Sequence, residues 1–577
     1  MAETLISPGV FLNENDTSQI TQGPITVGAA IVGPTVIGPV NQPILVTSYS
    51  DYKSKFGALF TSGGASFEYL TSMAAYSYFQ QGGESLLVTR VASGSYTYAT
   101  ASLGATAGTA LTLETISSGL SMNNDFSASL GVVSGSLVSG SITNVRWEVT
   151  AADTGSGQFS IIVRRGDDYS ANKTVLETWA GLSLDPNSNN YVEYVLGNQY
   201  TVPTLDESGN YYLATSGSYT NNSRYIRVKN VNLPTPNYLN TQGQVAVAAY
   251  TASIPTVGSG SGNGCFGGAT GTVSSSIKLY DRIPSTTGND IQGLAAADYN
   301  VAISLMSNND AYVFKVVSAP GITLQNAPST VNSLISLASN RGDAIAVIDT
   351  VAYGQTINSA TGQSTSVDNS YAATYWPWVQ LRSSETGKLF FCPASTVIPA
   401  AYEYNDRVGQ EWFAPAGLNR GGLPTVVQPE RRLSSAQRDT LYQSKVNPIA
   451  LFPGQGTVIY GQKTLQSKPS ALDRVNVRRL LIALKTQINQ ISQTLLFEPN
   501  TQATRNNFLN QVNPYLQYVQ QKQGLYAFKV VMDDTNNTPD VIDRNQLVGA
   551  IYLQPTKTSE YILIDFNITP TGATFGQ

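Results

Sequence analysis

The run VMDDTNNTPDVIDRN brings Asp533, Asp534, Asp540 and Asp543 together, and such oxygen ligands could hold Ca²⁺. It lacks the glycine and terminal Glu of an EF-hand loop, and Asx turns in a solvated loop explain it better. GTVIYGQKT, residues 456–464, hints at a phosphate loop. Lys463 comes one place too late for that motif, and the Val-Ile-Tyr interior prefers a strand. Asp349 ends the apolar run DAIAVIDTV, where a catalytic carboxylate could stand. A strand-end Asp also serves ordinary turns, and no Gly-rich phosphate loop accompanies this one. The chain contains no histidine, which removes Ser-His-Asp and Cys-His catalysis and every His-ligated metal. Carboxylate or lysine chemistry stays open. Cys265 and Cys392 are the only cysteines. Their spacing fits neither a metal motif nor a disulfide framework, which points to synthesis in a reducing cytoplasm. This reading assigns no catalytic, cofactor-binding or metal residue, and so no enzyme.

A different chemistry lies in SKPSALDRVNVRRLLIALKTQINQISQTLLF, residues 467–497. The spacing predicts one long helix, started by Ser470 and Asp473 in a capping-box-like pattern. Leu480, Leu481, Leu484, Ile488, Ile491 and Leu495 share its apolar face. At 100° per residue, Arg474, Arg478 and Lys485 fall within about 40° of one another beside that face. They read either as a solvated flank with local ion pairs, for example to Asp473, or as a basic stripe facing an acidic partner. No interleaved aromatics suggest nucleobases.

The elements around these residues alternate in type. SYSDYKSKFG and SFEYLTSMAAYSYFQQGG predict helices ending at glycine, and ESLLVTRVAS predicts a buried strand. AYVFKVVSAP, TVNSLISLASNRG and DAIAVIDTV read as a βαβ unit. SSAQRDTLYQSKVNP predicts a further helix. In NPYLQYVQQKQG, Asn513 is the expected N-cap, Pro514 the first turn and Gly524 the stop. LYAFKVVM is a strand. Residues 550–577 hold two more strand-like runs around a polar turn; in the second, Ile562, Ile564, Phe566 and Ile568 alternate with polar positions.

Length and composition set the frame. The chain has 577 residues, too many for one core, and three or four domains are expected. Charged residues make up 12% and the net charge is −5. The charged share is about half the usual value, so the neutral polar surface suits wide protein contacts. There is no electrostatic footprint for direct nucleic-acid binding. No signal peptide is expected at the N-terminus, and no segment is apolar enough to insert in a membrane. The expected class is a multidomain α/β (α+β) protein. Residues 1–20 form an extended arm, residues 21–94 and 271–430 a middle α/β domain, and residues 95–270 a β-rich insertion. Residues 431–577 form a C-terminal domain whose segment 560–577 is a terminal strand arm.

The quoted motifs then meet a known family. DRVNVRRLLIALKT (473–486), LYQSKVNPI (441–449), EWFAPAGLNRG (411–421) and the long run 533–566 resemble the C-terminal half of contractile tail sheath proteins of T-even-type myophages. SYAATYWPWVQL with CPAS, SPGVFLNE and residues 32–57 resemble its upstream segments, whereas 95–270 resembles nothing in the family. The resemblance implies a non-enzymatic subunit of the virion tail, made in the host bacterial cytoplasm. It would stack with itself in hexameric rings around an inner tail tube protein, between baseplate and tail terminator proteins. Contraction would drive the tube through the host envelope. The resemblance further implies that terminal arms add strands to neighbouring subunits, through Pro8, Gly9, Val10 and Phe11 at one end and Ile562, Ile564, Phe566 and Ile568 at the other. Arg474, Arg478 and Lys485 become candidates to face the tube. The alternatives are the sheath of a phage-derived injection machine or an enzyme built on the middle α/β region.

Overall fold

The computed structural model describes residues 25–62, 65–92, 96–118, 132–138, 140–260 and 294–560. Its centre is an eight-stranded sheet in the order Pro43–Val46, Leu86–Arg90, Ile25–Gly33, Tyr312–Thr323, Ile345–Asp349, Ala372–Trp376, Val446–Phe452, Gly456–Ile459. The inner strands run parallel, and only the two edge strands are antiparallel. A parallel sheet must be covered on both faces. Here Ala29 and Ile31 join one core and Ala30 and Val32 the other. The helices Leu70–Gln80 and Ile398–Val408 pack in the first core. Tyr299–Leu305 and Pro328–Arg341 pack in the second.

The expected βαβ unit is present as Tyr312–Thr323, Pro328–Arg341 and Ile345–Asp349, with parallel strands. Ser48 caps the helix Tyr49–Phe56, which ends at Gly57 with φ 67°. The strands Val446–Phe452 and Gly456–Ile459 hydrogen-bond into the central sheet. A boundary at 430/431 therefore falls inside this sheet.

Between Arg90 and Leu294 the described residues are mostly β. Two three-stranded sheets share one core around Trp147, Phe159, Ile161, Leu113 and Ile226. Polar bonds join this region to the central body: Arg90 donates to the carbonyls of Gly38 and Ser118, and Gly38 donates to Ser117 Oγ.

A further core lies at the C-terminal side, between Val475–Gln493, Gln502–Gln521 and the antiparallel ribbon Leu525–Val531 with Ala550–Pro555. Two helix boundaries differ from the sequence expectation. Ser470 caps only a single turn, Ala471–Asp473, and the long helix starts at Val475. Arg474 is extended because its neighbours pair with another strand of chain: Thr464 N donates to Asp473 O and Val475 N to Gln462 O. Asn513 is not a cap. Thr501 accepts from Thr504 N and starts a helix that runs through Pro514 to Gln521. Phe508, Val512, Leu516 and Val519 are buried along one face, and their burial outweighs the one hydrogen bond that Pro514 removes.

Candidate assembly interface

The ribbon is the exposed structural element nearest the end of the described chain. Phe528, Val530, Ile551 and Leu553 turn toward the helices, while Tyr526 and Tyr552 are exposed. Among the described residues, neither outer edge of this two-stranded ribbon is paired. A lone two-stranded hairpin is marginal in water, and an open edge is a template for another strand. The ribbon persists here because one face rests on Gln502–Gln521.

The chain leaving the ribbon does not double back. Thr556 N donates to Gly524 O at 3.1 Å and its hydroxyl to Gln523 O at 2.6 Å. Gln462 Nε2 then reaches Glu560 Oε1 at 3.3 Å, and Arg474 holds Glu560 through Nε at 2.7 Å and Nη2 at 3.1 Å. Such a two-pronged guanidinium–carboxylate pair fixes direction as well as position. It fixes Glu560 against the body, where the described chain ends. Ile562, Ile564, Phe566 and Ile568 lie outside the described residues, as do Pro8, Gly9, Val10 and Phe11.

Each of the three basic side chains has a partner within the chain, in line with the local ion pair read for Arg474 and Asp473. Arg474 serves Glu560 and Asp473. Arg478 is buried, with its guanidinium 4.0 Å from the Tyr371 ring centroid and a bond to Ser370 Oγ. Only Lys485 is exposed, and it donates to Tyr371 Oη at 3.0 Å. The cause is a second apolar face: Val475 and Ile482 enter the central core while Leu480 and Leu484 enter the C-terminal one. The helix is thus covered on two sides, and its cations take partners inside the chain. Arg479 and Asp406 form a buried ion pair across to the helix Ile398–Val408. Sequence reasoning missed that pair; Arg479 flanking a doubly apolar helix was the available signal.

Several of the residues whose types could do chemistry make contacts that hold the fold. Residues 456–459 are a strand, as their side chains suggested. Asp533 accepts from Thr535 N at 2.9 Å in an Asx turn, and Asp534 pairs with Arg505. Cys392 is buried and free; Cys265 lies outside the described residues. Among the described residues no group of acidic or sulfur ligands is placed to hold a metal, and no helix is long and apolar enough to cross a membrane. Asp349 is buried, accepts from the backbone N of Ser395 at 3.1 Å and from its hydroxyl, and so ties the strand end to the turn before Ile398–Val408.

Burial pushes the Asp349 carboxyl up to about 7, with the Ser395 bonds opposing in part. The folded chain therefore holds a proton there that the unfolded chain, with an ordinary carboxylate near 3.9, has released. This contribution to stability is full below about pH 4 and is lost as pH rises toward 7. Asp349→Asn removes the dependence. Thermal melts should show the variant gaining on the wild type between pH 5 and pH 8; a constant gap would refute the assignment.

With the geometry described, comparison with known proteins defines the class. Residues 292–465 match the phage tail sheath protein central domain, and residues 467–569 match the phage tail sheath C-terminal domain. These residues belong to the phage tail sheath family. The chain is 34% identical over 285 residues to the tail sheath protein of Enterobacteria phage T4, covering 46% of this chain and 43% of that one. It is 35% identical over 291 residues to that of Vibrio phage KVP40, covering 50% and 42%. The match thus spans less than half the length of either relative. In fold, the chain is similar to the sheath tail protein of Listeria innocua, with a TM-score of 0.54 at 10% identity over 92% of this chain and 95% of that one.

Proposed function

We propose that this chain is the structural subunit of a contractile phage tail sheath. It polymerises around the inner tail tube in a metastable extended state. On a baseplate signal it contracts and drives the tube through the host envelope for genome delivery. It performs no catalysis. Its partners are further copies of itself in stacked hexameric rings, the tube protein, and baseplate and terminator proteins. It is made in the host cytoplasm and resides in the virion tail. The curated relatives are tail sheath proteins of phages, which favours a virion over a phage-derived injection machine.

One observation carries this reading: a supported ribbon, unpaired at its outer edges among the described residues, stands near the clamped Glu560 at which those residues end. Such a ribbon accepts strands from neighbouring subunits by β-augmentation. The arms 1–20 and 560–577 are the donated strands, which keep subunits linked while their bodies slide and rotate during contraction. The β-rich stretch 95–270 faces outward as a decoration. Negative-stain images of the purified chain test the reading. Long tubular polymers are expected, and small closed oligomers alone would contradict it.

Lys485 is the remaining tube-facing candidate. Lys485→Glu should leave the fold intact, within about 0.5 kcal/mol as for most surface changes. Co-assembly with the tube should weaken markedly and become less sensitive to salt, while tube-free polymer persists. Unchanged tube-bound sheath, counted in micrographs, would remove Lys485 from the tube interface.

A further inference from the structure

We propose that the turn following the long helix is a knob that docks into an aromatic pocket on a second copy of this chain. The inference rests on the polymer reading above. After the helix Val475–Gln493, the turn is held by Leu495 N donating to Ser492 O at 3.0 Å and Glu498 N donating to Leu495 O at 3.2 Å. Leu495 enters the core, but Leu496 is 65% exposed and Phe497 fully exposed. Phe497 sits at φ 67°, a left-handed conformation that bulky side chains seldom adopt. Its ring stays in water at a conformational cost, with no gain inside its own chain.

A pocket of about 410 Å³ opens on the flank of the small sheet Val379–Arg382, Leu389–Cys392 and Val426–Pro429. Its apolar lining includes Phe67, Leu389 and Phe391, and Tyr353 stacks on Phe391 at 4.9 Å. A closed apolar cavity of about 150 Å³ already accepts benzene; this pocket is open and also lined by Glu68, Gln380 and Lys388, and it has the volume for the Phe497 ring. The charges also match. Glu498 follows the knob, Lys388 lines the pocket, and both are exposed without an ion-pair partner among the described residues. The knob adjoins the C-terminal core and the pocket the central one, so the two patches are not the same. Such a contact is head-to-tail, and repeated without closure it generates a helical polymer.

The test uses the full chain carrying Phe497→Cys together with Leu389→Cys, assembled and then oxidised. A ladder of disulfide-linked oligomers is expected from the double variant and from neither single variant. In a second arm, Glu498→Lys should raise the concentration needed for assembly about tenfold, and adding Lys388→Glu should restore it. Polymers that give no ladder, or a cross-link only to tube protein, would overturn this contact and leave the sheath reading standing. Failure of the wild-type chain to polymerise would overturn both.

Discussion

A chain ending at Glu560 remains folded and soluble but forms no tubes. The described core supports the first half of this expectation. Both cores of the central sheet, and the C-terminal core with its ribbon, are already extensive among the described residues of 25–560. The second half follows from what a donated strand supplies. Each new backbone hydrogen bond contributes about 0.5–1.5 kcal/mol net. Each fully buried side chain among Ile562, Ile564, Phe566 and Ile568 contributes about 1.5–3 kcal/mol. Ordering the segment offsets part of this gain, yet the remainder, repeated at every subunit, decides between monomer and polymer. Ile564→Asp should block assembly as fully as truncation, while Asp565→Asn on the opposite face should be mild. Melting midpoints of full-length and truncated monomer, measured where neither polymerises, separate this from pairing within the chain. A drop of several degrees on truncation would mean that the last strand belongs to its own subunit's core.

The largest loss of stability is expected at Asp168. Arg146 and Arg164 stand opposite each other in register on adjacent strands, and like charges so placed repel. Both side chains and that of Asp168 are fully buried. Asp168 resolves the conflict: Oδ1 accepts from Arg146 at 2.7 Å and Arg164 at 2.8 Å, and Oδ2 from Arg164 Nε at 2.8 Å. Glu148 supplies a second, partly exposed carboxylate to Arg164 at 3.0 Å. Asp168→Ala removes from the interior the carboxylate that both guanidinium groups share. Breaking a buried pair in this way costs about 3–5 kcal/mol. Because the β-rich region has its own core, the damage should be local. Hydrogen exchange should show its strands Val145–Asp153 and Gln158–Arg165 losing protection while the central sheet keeps it, and tubes should still form. Loss of the central sheet as well would show that the two regions fold as one unit.

The contrast between these residues shows where sequence was informative. The strand and helix of Tyr312–Arg341, the strand at 456–459 and the Ser48 cap follow from local rules: alternation, glycine stops and hydroxyl caps. The apolar face of the long helix was legible for the same reason. The choice between the two readings of its basic residues was not, because the helix has two buried sides, and the second belongs to a core assembled from strands hundreds of residues upstream. The Arg146–Asp168–Arg164 cluster and the Arg474–Glu560 clamp depend on register and on chain path, which no short window contains. Pro514 misled as a helix start because tertiary burial of Phe508 and Val512 outweighed a local preference.

Amide hydrogen exchange of the ribbon tests the central claim most directly. The amides of Leu525–Val531 and Ala550–Pro555 should be strongly protected in assembled tubes, and those on the outer edges should exchange rapidly in the chain ending at Glu560. Equal protection in tube and truncated monomer would contradict the account, since the ribbon edges would then accept no strand from a neighbour.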